Sequence, residues 1–168
     1  MKTTTAQVTR AVKVADEVWI AVALLHREFP QREDFSVEEI VERAAREGIV
    51  APRRPGVYVH ALQHCVGNRP PNPGRYRMLF ETGPSRRRLF RKGDPYHSAR
   101  EGAKITPAAD EIPGDYETLL SWYQDWSRAE NGPEQKTDPL LSLAGSGSAL
   151  WANERGDDFV RRLREGWE

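Results

Sequence analysis

Seven consecutive residues in the middle of the chain, Asn68-Arg69-Pro70-Pro71-Asn72-Pro73-Gly74, can enter neither a helix interior nor a central strand. Three prolines remove backbone donors and fix φ, while the glycine permits a tight turn. The block separates two kinds of periodicity. Before it, apolar residues recur at helical spacing; after it they alternate as in strands. The chain is therefore expected to be α+β and mostly helical, with three helices first, a β-hairpin second and one added helix after the hairpin.

The first helix is expected over residues 15–29, where Val14, Val18, Trp19, Val22, Leu25 and Phe29 form one stripe and Pro30 stops the ladder. Lys2, Arg10 and Lys13 ahead of the apolar run 18–25 give a superficial likeness to a signal peptide. Asp16 and Glu17 sit directly before that run, which is too short to span a bilayer, so a buried amphipathic helix is the expectation and no membrane partner is. The second helix has the clearest start signal. Ser36 and Glu39 form a capping box, Phe35 and Ile40 a hydrophobic staple, and Gly48 stands where a left-handed residue ends a helix. Val37, Ile40, Val41, Ala44 and Ala45 are expected on its buried face. A third helix is expected over residues 57–66, with Tyr58, Ala61, Leu62 and Cys65 on one side and His60, Gln63 and His64 nearer the other.

Residues 75–81 and 86–91 read as two strands joined by Thr82-Gly83-Pro84-Ser85, and Gly93-Asp94-Pro95 closes the hairpin. After an irregular stretch, Tyr116, Leu119, Leu120, Tyr123 and Trp126 mark the fourth helix. From Asn131 to Ser148 the composition turns to Gly, Pro, Ser and charge. The expected organisation is a domain over residues 1–130, a linker over 131–148 and a partner-binding tail over 149–168.

The formal charge of zero hides segregation. Residues 53–104 hold twelve Lys or Arg and three Asp or Glu (+9), residues 1–52 hold seven and nine (−2), and residues 105–168 hold six and thirteen (−7). A basic middle attracts polyanions. Three helices followed by an arginine-rich hairpin is also the element order of a winged helix, in which one helix enters the major groove and the hairpin follows the DNA backbone. On that reading Arg53 and Arg54 lead into the third helix, and Tyr58, His60, Gln63 and His64 are candidates to touch bases. Arg75, Arg77, Arg86, Arg87, Arg88 and Arg91 are candidates to touch phosphates, although strand alternation sets Arg87 with Leu89 and Arg86 with Arg88. Two alternatives stay open: a winged helix used for protein contacts, and hairpin arginines that pair with the acidic ends of the same chain. The stretch from Arg54 through Tyr96 resembles winged-helix-type domains of uncharacterised prokaryotic proteins, through Pro55-Gly56-Val57-Tyr58, His64-Cys65-Val66 and Gly93-Asp94-Pro95-Tyr96.

Little in the sequence suggests catalysis. His60 and His64, four apart, could converge on zinc with Cys65 and His97, but Cys65 turns about 100° away from His64 on a helix. Asp94, Glu101 and Lys104 could form a nuclease site, but E-x-x-K puts its side chains on opposite faces of a strand. Gly145-Ser146-Gly147-Ser148 lacks the lysine of a phosphate-binding loop. No enzyme activity, cofactor or metal is expected. The single cysteine, Cys65, forbids an intrachain disulfide, and a cytoplasmic location is the expectation.

The tail turns apolar again, with Leu140, Leu141, Leu143, Leu150-Trp151, Phe159-Val160, Leu163 and Trp167; Phe159, Val160 and Leu163 suggest a short helix behind Asp157 and Asp158. So short a helix must pack on something, whether the chain's own domain or a partner. The run Gly145-Ser146-Gly147, Leu150-Trp151, Asp157 and Phe159-Val160-Arg161-Arg162-Leu163-Arg164-Glu165-Gly166-Trp167 resembles the C-terminal tails of type II antitoxins of the VapB kind. That resemblance implies that the tail wraps a PIN-domain ribonuclease toxin. Leu150, Trp151, Phe159, Leu163 and Trp167 would be groove anchors, and Arg161, Arg162 or Arg164 would enter the acidic Mg²⁺ pocket. It also implies operator DNA as a second partner, with a homodimer possible. Such antitoxins usually carry a smaller ribbon-helix-helix or swapped-hairpin domain than the body expected here.

Overall fold

The computed structural model describes residues 11–129 of the 168-residue chain. The linker and tail expectations, including Leu150, Trp151, Phe159, Arg161, Arg162, Leu163, Arg164 and Trp167, lie outside the described residues.

Helix α1 (Val14–Glu28) is buried along its whole middle, from Ala15 to His26, and not along a single stripe. It is the axis of the core, with Trp19, Ile20 and Val22 fully enclosed. Its first turn carries two buried carboxylates, each met by a cation from the basic middle of the chain. Lys104 Nζ lies 3.1 Å from Asp16 Oδ1, and Arg54 Nε donates to Glu17 Oε2 at 3.0 Å.

A two-residue strand, β1 (Phe35–Ser36), leads directly into α2 (Val37–Glu47). The capping box forms as the sequence indicates: Ser36 Oγ accepts from the Glu39 amide at 3.1 Å and Glu39 Oε2 accepts from the Ser36 amide at 2.8 Å. Arg32 holds the same carboxylate at 2.7 Å, and with these bonds the Glu39 pKa falls to about 2. Phe35 and Ile40 are both fully buried, and Gly48 ends the helix with φ of 62°. Ala45, expected on the inner face, is exposed.

Helix α3 begins as an α-turn (Gly56–Val59) and continues as a π-turn (His60–His64), in which the Cys65 amide reaches back to His60 O at 3.0 Å. Strands β2 (Leu79–Gly83) and β3 (Arg86–Leu89) form the hairpin. Their antiparallel pairing sets Leu79 opposite Leu89, with an irregularity between Glu81 and Gly83, and Ser85 takes a positive φ of 53° in the turn. The first strand is shorter at its start than residues 75–81 suggest. The Arg77 amide bonds instead to Lys104 O at 2.8 Å, drawing that segment toward the irregular stretch that follows. Strand β1 pairs with β3 through Phe35 opposite Arg87, so the sheet has three antiparallel strands in the order β1-β3-β2.

Three 3₁₀ turns precede α4 (Thr118–Ala129), which packs Leu119 and Tyr123 inward. The Tyr123 hydroxyl donates to Phe90 O, and its ring meets Trp19 edge-on at 5.7 Å. No helix among the described residues is long and apolar enough to cross a membrane.

His26 joins α1 to the end of β3. Its Nε2 accepts from the Leu89 amide at 3.3 Å, and its ring lies edge-on to Phe35 at 5.0 Å. Burial, and then the charges of Arg91 and Arg88, hold it neutral with a pKa lowered to about 4. Below pH 6.5 the unfolded chain takes up a proton that the native state refuses. Stability from this residue is thus complete above about pH 6.5 and declines by about 3 kcal/mol as the pH falls toward 4. Chemical unfolding of the wild type and of His26→Gln at pH 7 and pH 5 measures this; the variant is expected to lose much of the pH dependence in that window.

Candidate nucleic-acid interface

The twelve basic residues of the segment 53–104 are the natural starting point, and most of them turn inward. Arg54 is held by Glu17 and donates to Val12 O at 2.9 Å. Arg86 Nε donates to Asp34 Oδ1 at 2.7 Å, and Thr82 donates to the other oxygen of the same carboxylate at 2.6 Å. Arg88 grips Asp94 with two parallel bonds of 2.6 and 2.8 Å while lying over the Phe80 ring. Arg69 pairs with Glu81. Arg77 lies 4.1 Å above the Tyr96 ring and donates to Ala103 O, and Arg91 lies 4.7 Å above Trp126. Lys104 joins Asp16 to Glu111, whose pKa its bonds to Lys104 and Lys13 lower to about 2.

Two arginines are buried completely. Arg87 and Arg100 each have zero exposure, and burial lowers the pKa of both. Arg87 donates from Nε to Ala61 O at 3.2 Å and from Nη2 to Leu62 O at 2.9 Å; its other contacts are Gly83 O, Arg86 O and the Glu81 carboxylate. Arg100 has carbonyl acceptors only: Arg69 and Pro70 from the proline block, Gln63 and His64 from the end of α3, and Tyr76. Arg100 uses all five of its N–H donors, and Arg87 makes four hydrogen bonds and an ion pair with Glu81.

These placements correct the reading of the hairpin as a row of free phosphate contacts. Arg87 and Arg88 are buried, Arg86 is committed to Asp34, and Arg77 and Arg91 lie against aromatic rings. Of the segment's twelve cations, Arg53, Arg75 and Lys92 are exposed without a hydrogen bond or ion pair among the described residues.

Helix α3 also divides its candidates. Val57, Ala61 and Cys65 face the core. Burial raises the Cys65 thiol pKa far above its ordinary value, which leaves it an inert packing group. His60 and His64 lie on one flank, rings 4.8 Å apart, with His60 Nδ1 2.8 Å from Gly56 O and its pKa lowered by burial. Gly74 lies against His64; a Cβ there would come within 2.7 Å of the His64 Cβ, so the proline block closes onto this flank only with glycine at that position. The two half-buried histidines form a wall on which Gly74 and the proline block pack. The outward face holds Tyr58, 45% exposed, and Val59, 41% exposed, with Leu62 and Gln63 half-buried beside them. Sequence reasoning missed Val59, because an isolated valine carries no polar signal.

The residues weighed for catalysis are used elsewhere. Asp94 is bound by Arg88, Glu101 accepts from the Tyr96 hydroxyl, and Lys104 is held by two carboxylates. Among the described residues no group of three or more His, Cys, Asp or Glu is arranged to hold a metal ion.

No protein-family model, curated protein or solved structure matches this chain.

Replacing Arg100 by Met strands several buried carbonyls at once, each costing about 1–3 kcal/mol, so a loss of about 3 kcal/mol or more is expected in urea unfolding. Arg100→Lys offers three donors where five are used and is expected to recover little. Arg75→Ala is expected to change stability by less than about 0.5 kcal/mol.

Proposed function

We propose that the chain is an antitoxin-like regulator that binds DNA through the outward face of α3 and captures a PIN-type ribonuclease with residues 149–168. On this reading residues 11–129 are a winged-helix-like unit. Support comes from element order, since α1, α2 and α3 precede the β2–β3 hairpin and β1, between the first two helices, pairs with it. The observation that carries the DNA half is the outward strip of exposed Tyr58 and Val59 with half-buried Gln63, on a helix that follows Arg53 and is flanked by Arg75. Arg75 stands between Gly74, which packs on His64, and Tyr76, whose ring is 6.4 Å from His60. A helix fits the major groove, and two guanidiniums beside it can hold phosphates. The hairpin then supports α3 from behind, because its arginines would have to abandon carboxylates and carbonyls to reach DNA.

The ribonuclease half rests on the tail's likeness to VapB-kind antitoxins, with Leu150, Trp151, Phe159, Leu163 and Trp167 as anchors and the Arg161-Arg162-Leu163-Arg164 run supplying the blocking charge. A second reading, a protein-interaction adaptor, is favoured by the apolar character of Tyr58 and Val59 and by how few cations are left unpaired.

Salt dependence separates the two. Two or three phosphate contacts give a slope of log K against log salt of about −2 to −3, whereas a hairpin of six contacting arginines would give about −5. Gel-shift titration of a mixed duplex pool between low and physiological salt is expected to give the shallower slope and to lose binding in the double variant Arg53→Ala with Arg75→Ala. Failure to bind any duplex at low salt would leave the adaptor reading. For the tail, Trp151→Ala in the full chain is expected to abolish co-purification of a small Mg²⁺-dependent ribonuclease from the native host without shifting the thermal midpoint. A large drop in that midpoint would mean that Trp151 belongs to the folded unit.

A further inference from the structure

We infer that Gln63 is the residue through which α3 reads sequence, and that it selects an adenine whose neighbouring base pair presents a thymine methyl to Val59; the inference rests on the DNA reading above. Gln63 differs from the other candidates in how its two halves are held. Its carbonyl accepts from the buried Arg100 at 3.0 Å, which fixes the backbone at that point. Its side-chain amide makes no hydrogen bond among the described residues, so one donor and one acceptor stand ready on a fixed support. His60 and His64 are turned to the covered flank, and the adjacent Leu62 carbonyl is held by Arg87 at 2.9 Å.

The chemistry of the major groove then selects the base. A carboxamide matches adenine, donating to N7 and accepting from the exocyclic amine, whereas guanine sets two acceptors, N7 and O6, against one NH₂ group and one carbonyl oxygen. Val59 lies four residues earlier, one turn away, and is 41% exposed, while Gln63 beside it is half-buried. An aliphatic side chain there gains from the thymine methyl and from no other groove-edge group. Axial spacing of about one helical turn spans neighbouring base pairs, so the two contacts together specify adjacent A·T pairs.

The test is selection of duplexes from a randomised pool by the full chain, the Gln63→Ala chain and the Gln63→Glu chain. The wild type is expected to enrich adjacent A·T pairs. Gln63→Ala is expected to lower discrimination at the adenine by about tenfold. Gln63→Glu is expected to move the preference toward cytosine, whose amine a carboxylate accepts from, an exchange that a purely structural role would not produce. Enrichment that Gln63→Ala and Gln63→Glu leave unchanged overturns this inference and leaves the DNA reading standing. Retention of no duplex by the wild type at low salt overturns the DNA reading and this inference with it.

Discussion

Four carbonyl oxygens at the end of α3, those of Ala61, Leu62, Gln63 and His64, point into the protein and not toward water, and two guanidiniums receive them. A helix terminus leaves such groups without intrahelical partners, and a π-turn at that terminus shifts which amides can return to them. Arg87 comes from the hairpin and Arg100 from the 3₁₀ turn beyond it. The same two side chains also satisfy Gly83, Arg69, Pro70 and Tyr76. Segments with no regular hydrogen-bonding pattern of their own, the proline block above all, are thereby fastened to the helix. Arg100 has no carboxylate within this set. The aligned dipoles at a helix C-terminus and the additional carbonyls supply the negative potential that a buried cation requires.

The uneven distribution of charge along the sequence has its counterpart in three dimensions. Glu17 and Arg54 are 37 positions apart, Asp34 and Arg86 are 52 apart, and Asp16 and Lys104 are 88 apart, yet each pair is in contact. Among the described residues, the acidic segment 1–52 and the basic middle are complementary parts of one interior and its rim. Asp16 and Glu17 are buried, so removing Lys104 or Arg54 would leave a buried charge unpaired, while the more exposed Asp34–Arg86 pair contributes about 1 kcal/mol or less. Arginine is suited to this work, since a planar five-donor group can hold a carboxylate and a carbonyl at once, as Arg86 does with both the side chain and the backbone of Asp34. The electrostatic contribution left for a polyanion is correspondingly small.

Local chemistry was legible in the sequence wherever it rested on neighbours in the chain. The stop before Pro30, the Ser36–Glu39 box, the left-handed Gly48 and the fourth helix all follow from rules that operate within a few residues. Strand alternation even placed Arg87 on the same side as Leu89, which is the core side. What defeated the assignment was the expectation that arginine belongs in water, an expectation that only the carbonyls of a helix 25 residues away could reverse. Arg100 gave no signal at all, being one cation in an irregular stretch. His26 carried no signal in the sequence, because its partner, the Leu89 amide, is 63 positions distant. Strand β1 has two residues and exists only through its pairing with β3.

The division of labour on α3 follows from this arrangement. The groups that secure the helix are backbone carbonyls, which every residue supplies, together with the inward side chains Val57, Ala61 and Cys65. The side chains of Tyr58, Val59 and Gln63 take no part in holding it. Substitution on the outward face therefore costs little stability, while substitution at Arg87 or Arg100, far from that face in sequence, removes the helix end's support. On the proposed reading, such a surface can change what it recognises without renegotiating the core, because the backbone that presents it is fixed by contacts a ligand would never touch.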